Sequence, residues 1–293
     1  MNAQYLKIAG LTYQVPLSLK LEENYTPFIV SPNEVEQINA TISMKKIKVS
    51  DKKLCHHGLV IDDQKELSIY KVDEGCYYAS LNTKGSSVIY ELYASSDWKQ
   101  VYLSENCFTS DCSISCIDIL MMLTFIYSAA FFNTILLHSS CVKCGDDVLA
   151  FIGHSGAGKS THSRLWLAHV PGTILLNDDQ PAVRVLDDDR VLIFGTPWSG
   201  KTPCYKNDQG ILKGIVRMKQ APINQITHLN PVTLFQELLS SCSMIKADPA
   251  TFKPITNTLA KLSSKISGFV LENRPEKEAV QLVYANTLSR RYK

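Results

Sequence analysis

The sequence feature that most constrains the fold is the stretch from Phe151 to Thr161, FIGHSGAGKST. It matches the pattern G-x-x-x-x-G-K-[ST] in full, with Gly153, Gly158, Lys159 and Ser160 at the defining positions. The apolar run VLAFI leads into the loop, and helix-forming residues follow it. The pattern therefore predicts a strand, a phosphate-binding loop and a helix in succession, an arrangement that belongs to an α/β domain.

Each part of this loop has a predicted contact with a nucleotide. Backbone N–H groups that turn inward hold the phosphates, and the positive end of the following helix adds to the attraction. Lys159 is expected to reach the outer phosphates, and Ser160 to coordinate Mg²⁺. We therefore predict ATP and Mg²⁺ as cofactors. The predicted nucleotide-binding residues are Gly153, His154, Ser155, Gly156, Ala157, Gly158, Lys159, Ser160 and Thr161.

Two carboxylates follow the apolar run TILLN, at Asp178 and Asp179. The carboxyl end of a strand is the edge at which an α/β sheet presents its ligands. One aspartate there can hold Mg²⁺ while the other takes the proton from an acceptor hydroxyl. Ser160 and Asp178 are thus the candidate metal ligands. Both aspartates are candidate catalytic residues, and which of them is the base stays open.

The stretch GTPWSGKTPCYK, residues 195–206, is a candidate for the acceptor or lid side of the site. It combines glycines with an aromatic side chain, Trp198, and with two cations, Lys201 and Lys206, that could neutralise a transferring phosphoryl group. Arg217, in the strand-like run IVRM, could do the same. The alternatives are an exposed surface loop for the stretch and an ordinary surface side chain for Arg217.

The pattern of apolar and turn residues changes near the middle of the chain. Residues 1–112 contain short β-rich runs separated by turn residues and predict a β-rich N-terminal domain. Residues 113–293 predict the P-loop catalytic domain, in which we expect a helix over 115–132, one continuous strand over ILLHSSCV and a hairpin with its turn at Asp187–Asp189. The helices expected near the C-terminus lie around 231–244, 250–266 and 275–288.

Charge and hydropathy argue against several classes of protein. The formal net charge is +2, with both signs mixed along the chain, so there is no electrostatic reason to expect nucleic acid or a membrane surface as a partner. The nineteen uncharged residues from Ile119 to Leu137 are long enough for a membrane span, but Asn133 and Thr134 interrupt them, which favours a buried helix followed by a core strand. The N-terminus lacks the apolar run of a secretory signal, and we predict a cytoplasmic location.

The order of the candidate residues resembles a known family. His138, the loop and the aspartate pair follow the pattern HSS-x(12)-GHSGAGKST-x(16)-DD, which resembles the catalytic domain of the bacterial HPr kinase/phosphorylase family. In that family a histidine precedes the first loop glycine at a similar spacing, and here His138 and Gly153 are fifteen positions apart. The resemblance covers about Ser115 to Met218. The stretch FGTPWSGKTPCYKN is also loosely similar to a glycine-rich loop of the phosphoenolpyruvate carboxykinases, whose fold is related.

The resemblance implies both a fold and an activity. The fold is α/β, or α+β overall: a phosphoenolpyruvate carboxykinase-like P-loop kinase core with C-terminal helices, preceded by the β-rich domain. The activity is that of an ATP- and Mg²⁺-dependent kinase that transfers the γ-phosphoryl group to a serine hydroxyl of a protein or peptide. One aspartate would be the acid/base, and His138 would orient an aspartate or a phosphate oxygen.

Other readings of the same residues stay open. The alternatives are a nucleotide-hydrolysing P-loop NTPase that acts as a binding module, and a carboxykinase-like enzyme that acts on a small metabolite. The family resemblance also allows a homo-oligomer.

Overall fold

The computed structural model describes residues 3–49, 53–62, 64–72, 75–200, 202–244 and 249–289, with 53–62 described by their backbone. These residues form a mixed α/β structure with two sheets. The chain divides into two compact units, one spanning Met1–Phe132 with Ile245–Phe252 and the other Asn133–Met244 with Lys253–Lys293.

The first unit is built on a nine-stranded sheet. Its strands are β1 (Ala3–Ile8), β2 (Leu11–Pro16), β3 (Ile29–Val30), β4 (Ala40–Met44), β5 (Lys53–Asp62), β6 (Lys65–Lys71), β7 (Tyr77–Thr83), β8 (Ile89–Ala94) and β9 (Gln100–Leu103). They lie in the order β3-β1-β2-β4-β9-β8-β7-β6-β5, and only β2/β4 and β4/β9 among these pairs are parallel. Burial alternates along β8 and β9, as expected for a sheet with one covered face.

The helix α1 (Ile114–Ala130) belongs to this first unit. Its Phe125 ring lies 5.8 Å from the ring of Tyr13, and its Tyr127 ring lies 4.8 Å from that of Trp98. Because this apolar helix packs on the β sheet that precedes it, the first unit extends to Phe132. The sequence analysis predicted the boundary between 112 and 113. Within the described ranges, every helix falls short of the length and apolarity that crossing a membrane requires.

The second unit contains the predicted loop. Its strands are β10 (Thr134–Leu136), β11 (Ser139–Cys144), β12 (Asp147–Ile152), β13 (Thr173–Asp179), β14 (Ala182–Val185), β15 (Val191–Phe194), β16 (Gln209–Gln220), β17 (Gln225–Leu229) and β18 (Ser267–Asn273). Its helices are α2 (Lys159–His169), α3 (Pro231–Ser241) and α5 (Lys277–Thr287), together with most of α4 (Pro249–Lys265). The strand order is β10-β14-β15-β16-β12-β11-β13, with β18 beside β16 and β17 beside β18. Only β12/β16 and β16/β18 are parallel among these pairs.

Aromatic packing holds α2 against this sheet. The Trp166 ring is fully buried and lies 6.2 Å from the Phe151 ring of β12 and 6.1 Å from the Tyr284 ring of α5. Burying one such side chain contributes about 2–3 kcal/mol. Because the loop joins β12 to α2, this packing positions both of its ends.

Two of the predicted elements differ from the observed ones. The run ILLHSSCV is two strands, because β10 pairs with β14 whereas β11 pairs with β12 and β13. His138 lies in the break, where its backbone N–H donates to the carbonyl oxygen of Ser241 at 2.7 Å. The three C-terminal helices are present, but β18 lies between the last two and adds a parallel strand to the sheet, which the sequence analysis did not predict.

Candidate active site

The predicted strand, loop and helix follow one another in the second unit, as β12, residues 153–158 and α2. Gly156 and Gly158 have φ values of 80° and 96°, in the left-handed region that favours glycine. A Cβ atom at Gly153 would lie only 2.9 Å from the Cβ of Ala157. The glycine spacing is therefore required by the path of the backbone, which turns tightly before the helix begins.

The side chain of Lys159 folds back over this loop. Its Nζ donates a hydrogen bond to the carbonyl oxygen of Gly153 at 2.8 Å and lies 3.2 Å from Nε2 of His138. Burial lowers the pKa of Lys159 below its ordinary value, and the attraction of Asp179 and Asp178 opposes that shift. The ammonium group thus lies within electrostatic reach of both carboxylates, beside the loop that would hold the phosphates.

Asp178 and Ser160 form one pair of the site. Asp178 lies near the end of β13 and is almost fully buried, with 7% of its surface exposed. Its Oδ1 accepts a hydrogen bond from Oγ of Ser160, in the first turn of α2, at 2.9 Å. Both side chains line the same cleft and offer the hard oxygen ligands that Mg²⁺ prefers. The pair fits the metal site that the sequence predicted.

Asp179 lies in different surroundings from its neighbour. Its side chain is 34% exposed, and its Oδ1 is 3.0 Å from Nδ1 of His138. Successive side chains of a strand point to opposite sides, so two adjacent aspartates at the end of β13 make different contacts. This geometry separates the two carboxylates into a buried one bound to the loop helix and a partly exposed one beside a histidine.

The contacts of His138 also determine its tautomer. The ammonium group of Lys159 can only donate, so Nε2 of His138 is assigned as the acceptor and Nδ1 as the protonated nitrogen that faces Asp179. The imidazole ring therefore connects Lys159 of the loop to the partly exposed Asp179. A histidine in a break between two strands has room for both contacts.

Arg217 lies beside the loop. It is opposite Ile152 in the pairing of β16 with β12, at the strand end from which the loop begins. Its Nε is 3.2 Å from Oε2 of Glu237, an ion pair without hydrogen-bond geometry. Its charge adds to the lowering of the pKa of Lys159. Arg217 is thus a partly buried cation near the candidate site and differs from an ordinary surface arginine.

Two of the side chains that the sequence analysis named in the stretch 195–206, Trp198 and Lys206, lie away from the cleft. Trp198 is 4% exposed, so its ring is buried, and it is not among the residues that line the cleft. Lys206 donates from Nζ to the carbonyl oxygen of Leu175 at 2.8 Å, so its ammonium group points away from the cleft. Lys201 lies outside the described residues.

Gly200 and Thr202 bring this stretch to the aspartates. Both line the cleft, and the backbone N–H of Gly200 donates to the carbonyl oxygen of Asp178 at 2.7 Å. A Cβ at Gly200 would lie 3.0 Å from that same oxygen and 3.4 Å from the Cβ of Asp179. The close approach of this segment to the two carboxylates therefore depends on glycine.

Three residues of the site were missed by the sequence analysis. Asn177 is fully buried, and its Nδ2 donates to the carbonyl oxygen of Trp198 at 3.1 Å, which ties the 195–206 stretch to the end of β13. Arg164 lines the cleft one turn after the loop, and Gln220 donates from Nε2 to the carbonyl oxygen of Gly156 at 2.9 Å. A polar residue that ends an apolar run was the signal for Asn177, and the i, i+4 spacing from Ser160 was the signal for Arg164.

These residues surround one cleft of about 610 Å³ in the second unit. Of the nine predicted nucleotide-binding residues, seven line it, while His154 is exposed beside it and Gly153 is buried beneath the loop. The lining residues are His138, Ser155, Gly156, Ala157, Gly158, Lys159, Ser160, Thr161, Arg164, Asp178, Asp179, Gly200 and Thr202. The cleft has the size of a ligand site and presents cations and carboxylates together.

Comparisons with known proteins add little to this geometry. No family model matches the chain, and no curated protein matches it. Among solved structures, the Hpr(Ser) kinase/phosphatase from Coxiella burnetii matches 54% of this chain and 89% of its own, at 11% identity and a TM-score of 0.30. That similarity is weak. The membership in the HPr kinase/phosphorylase family and the carboxykinase-like fold therefore stay predictions from the sequence.

Proposed function

We propose that the chain is an ATP- and Mg²⁺-dependent kinase that transfers the γ-phosphoryl group to a serine hydroxyl of a protein or peptide. The observation that carries this proposal is the different environment of the two adjacent aspartates. Asp178 is buried and bound to Ser160, whereas Asp179 is partly exposed at the cleft and lies 3.0 Å from His138. A second, oriented carboxylate suits a base that takes the proton from an acceptor hydroxyl, a role that holding a nucleotide alone does not require.

This arrangement assigns a role to each side chain. Ser160 and Asp178 would hold Mg²⁺, which when bound neutralises charge on the phosphates. Lys159 would leave its contact with Gly153 to contact the outer phosphates. Asp179 takes the proton from the serine hydroxyl while that oxygen forms its bond to the γ-phosphorus and the bond to the bridging oxygen of ADP breaks.

His138 acts through Asp179. Its protonated Nδ1 faces the carboxylate and holds it in place, while Nε2 faces the ammonium group of Lys159. The serine itself would enter over Gly200 and Thr202, where the cleft is bounded by small side chains and by backbone. Positioning of this kind supplies much of the rate enhancement in phosphoryl transfer.

The test is transfer of labelled γ-phosphate from ATP to a degenerate peptide mixture with a fixed serine, compared with a matched mixture in which alanine replaces that serine. We expect label on the serine mixture only, with loss of about 10²- to 10⁴-fold in Asp179→Asn and a comparable loss in Lys159→Ala. Asp187→Asn, in the exposed hairpin turn, is the matched control and keeps full activity.

One outcome would reject transfer. If the protein releases free phosphate, labels neither mixture and is unaffected by Asp179→Asn, the chain is an NTPase that hydrolyses nucleotide without an acceptor. Phosphoamino acid analysis of a labelled product distinguishes serine from threonine and tyrosine acceptors.

A further inference from the structure

A second pocket lies on the other side of the phosphate-binding loop, within the same unit. It has a volume of about 490 Å³ and shares Ala157, Gly158 and Thr161 with the cleft described above. Its remaining lining residues are His162, Gln220, Ala221, Asn273, Arg274 and Pro275. We call it the β16–β18 pocket, because most of these residues lie at or just beyond the carboxyl ends of those strands.

The position of this pocket follows from the sheet order. β12, which leads into the loop, has β11 and then β13 with the two aspartates on one side, and β16 followed by β18 on the other. The cleft with the carboxylates and the β16–β18 pocket thus flank one loop. A nucleotide held by its phosphates across the loop has two ends, and the end that carries the γ-phosphate belongs with the carboxylates and Mg²⁺ ligands. The other end, the nucleoside, would then extend towards the β16–β18 pocket.

Two buried polar atoms of this pocket have no hydrogen-bond partner among the described residues. One is Nδ1 of His162, a residue that is 1% exposed. Its Nε2 accepts a hydrogen bond from Nε1 of Trp166 at 3.1 Å, so the proton of the neutral ring lies on Nδ1, which is therefore a donor. Burial lowers the pKa of His162 to about 4, so the ring is neutral at pH 7.

The second atom is Oδ1 of Asn273, a residue that is 6% exposed. Its Nδ2 donates to the carbonyl oxygen of Arg274 at 3.0 Å, which assigns the orientation of the amide and leaves the oxygen as an acceptor. A buried polar atom without a partner destabilises the folded state unless a ligand or water satisfies it. Two residues that line this pocket thus carry one unsatisfied donor and one unsatisfied acceptor.

We infer that the β16–β18 pocket binds the purine base of the nucleotide, with Asn273 accepting from an exocyclic amino group and His162 donating to a ring nitrogen. Adenine offers an adjacent donor and acceptor on both of its polar edges, N6–H with N7 and N6–H with N1, and guanine offers its exocyclic N2–H beside the ring nitrogen N3. One acceptor and one donor therefore fit either purine, and adenine is the base of the nucleotide in the proposed function. Arg274 is paired with Glu276 at 2.7 Å, so its charge is neutralised and does not call for a further phosphate.

This inference rests on the proposal that the loop holds the phosphates of ATP, and the test separates the two. The affinities of the full chain for ATP, GTP and inorganic tripolyphosphate are measured with Mg²⁺ by titration calorimetry. We expect ATP and GTP each to bind at least about 10-fold more tightly than tripolyphosphate. Asn273→Leu is expected to weaken ATP about 2- to 10-fold and to leave tripolyphosphate unchanged.

A second variant keeps the test valid if Asn273→Leu does not fold. Ala221 lies at the rim, and its backbone N–H donates to the carbonyl oxygen of Asn273, a contact that a larger side chain preserves. Ala221→Trp is expected to fill the pocket and reduce ATP affinity to that of tripolyphosphate, while Ala221→Ser, the matched control, behaves as the wild type.

The outcomes are distinct. If tripolyphosphate binds as tightly as ATP, or if Ala221→Trp weakens both alike, the base does not bind in this pocket, although the loop still binds phosphates. If none of the three compounds binds, or if Lys159→Ala leaves all affinities unchanged, the loop does not hold phosphates, and both the proposed function and this inference are wrong.

Discussion

The contact between Gly153 and Ala157 offers a direct test of how the loop is built. A Cβ atom at position 153 would lie 2.9 Å from the Cβ of Ala157 and 3.3 Å from the carbonyl oxygen of Met218. Non-bonded carbon atoms are attracted at separations of about 3.5–4.0 Å, so the first contact is strongly repulsive and the second is only tight. Gly153→Ala must therefore push the loop away from β16 or from its own first turn.

The expected size of the effect follows from these distances. Overpacking of a buried site typically costs about 1–3 kcal/mol, which for a unit of this size lowers the melting temperature by about 2–4 °C per kcal/mol. Ala157→Gly removes one buried methyl group at a cost of about 1 kcal/mol. In the double variant the Cβ–Cβ contact is absent, so the two costs should not add.

The experiment is a double-mutant cycle. Thermal unfolding and ATP titration are measured for the wild type, Gly153→Ala, Ala157→Gly and the double variant. We expect the free energy of unfolding of the double variant to exceed the value obtained by adding the two single effects by about 1 kcal/mol or more. The double variant should also regain part of the ATP affinity lost in Gly153→Ala. Costs that add to within about 0.5 kcal/mol would mean that the two positions do not touch, and would refute the loop geometry.

Three further predictions address the site and its support. Asp178→Asn should raise the Mg²⁺ concentration needed for half-maximal ATP binding by about 10-fold or more, whereas Asp179→Asn should change that concentration by less than about 3-fold. Equal effects of the two variants would contradict the division of roles between the two carboxylates. Gly195→Ala should lower the free energy of unfolding by about 3 kcal/mol or more, because the added Cβ would overlap a backbone carbonyl oxygen. Gly214→Ala is the control and should cost less, because its Cβ would meet the end of a leucine side chain at 3.3 Å. Burial lowers the pKa of His162 to about 4, so between pH 6.5 and 4 the unfolded chain binds a proton that the folded chain does not. The free energy of unfolding, measured with urea, should therefore fall by about 3 kcal/mol over that range. His162→Gln should lack this loss.

Several elements could be predicted from sequence because the signals were local. The order of strand, loop and helix around Gly153 follows from glycine positions that the backbone path itself requires. The hairpin turn at Asp187–Asp189 lies between β14 and β15 as predicted, since turn residues act within a few positions of one another. The first of the C-terminal helices begins at a capping residue, Asn230, whose side chain accepts from the N–H of Thr233.

Other elements depended on partners far away in the chain. The break at His138 arises because β10 and β11 pair with different strands, and nothing in ILLHSSCV indicates where that change occurs. β18 is a strand because it pairs with β16 and β17, although it lies between two helices. The units divide after Phe132, and not at the predicted position 112, because α1 follows the β-rich residues in sequence and packs against them.

The sequence by itself determined the chemistry that is available: a glycine-rich loop with a lysine and a serine, two adjacent aspartates and a histidine at a set spacing. Those features depend on short stretches of chain, whose conformations are set by local sterics. Only the tertiary structure decided that Asp178 is buried against Ser160 while Asp179 faces His138. It also buried Trp198 and brought His162 and Asn273 to one pocket. Burial and strand pairing join residues that are distant in sequence, and no local pattern records them.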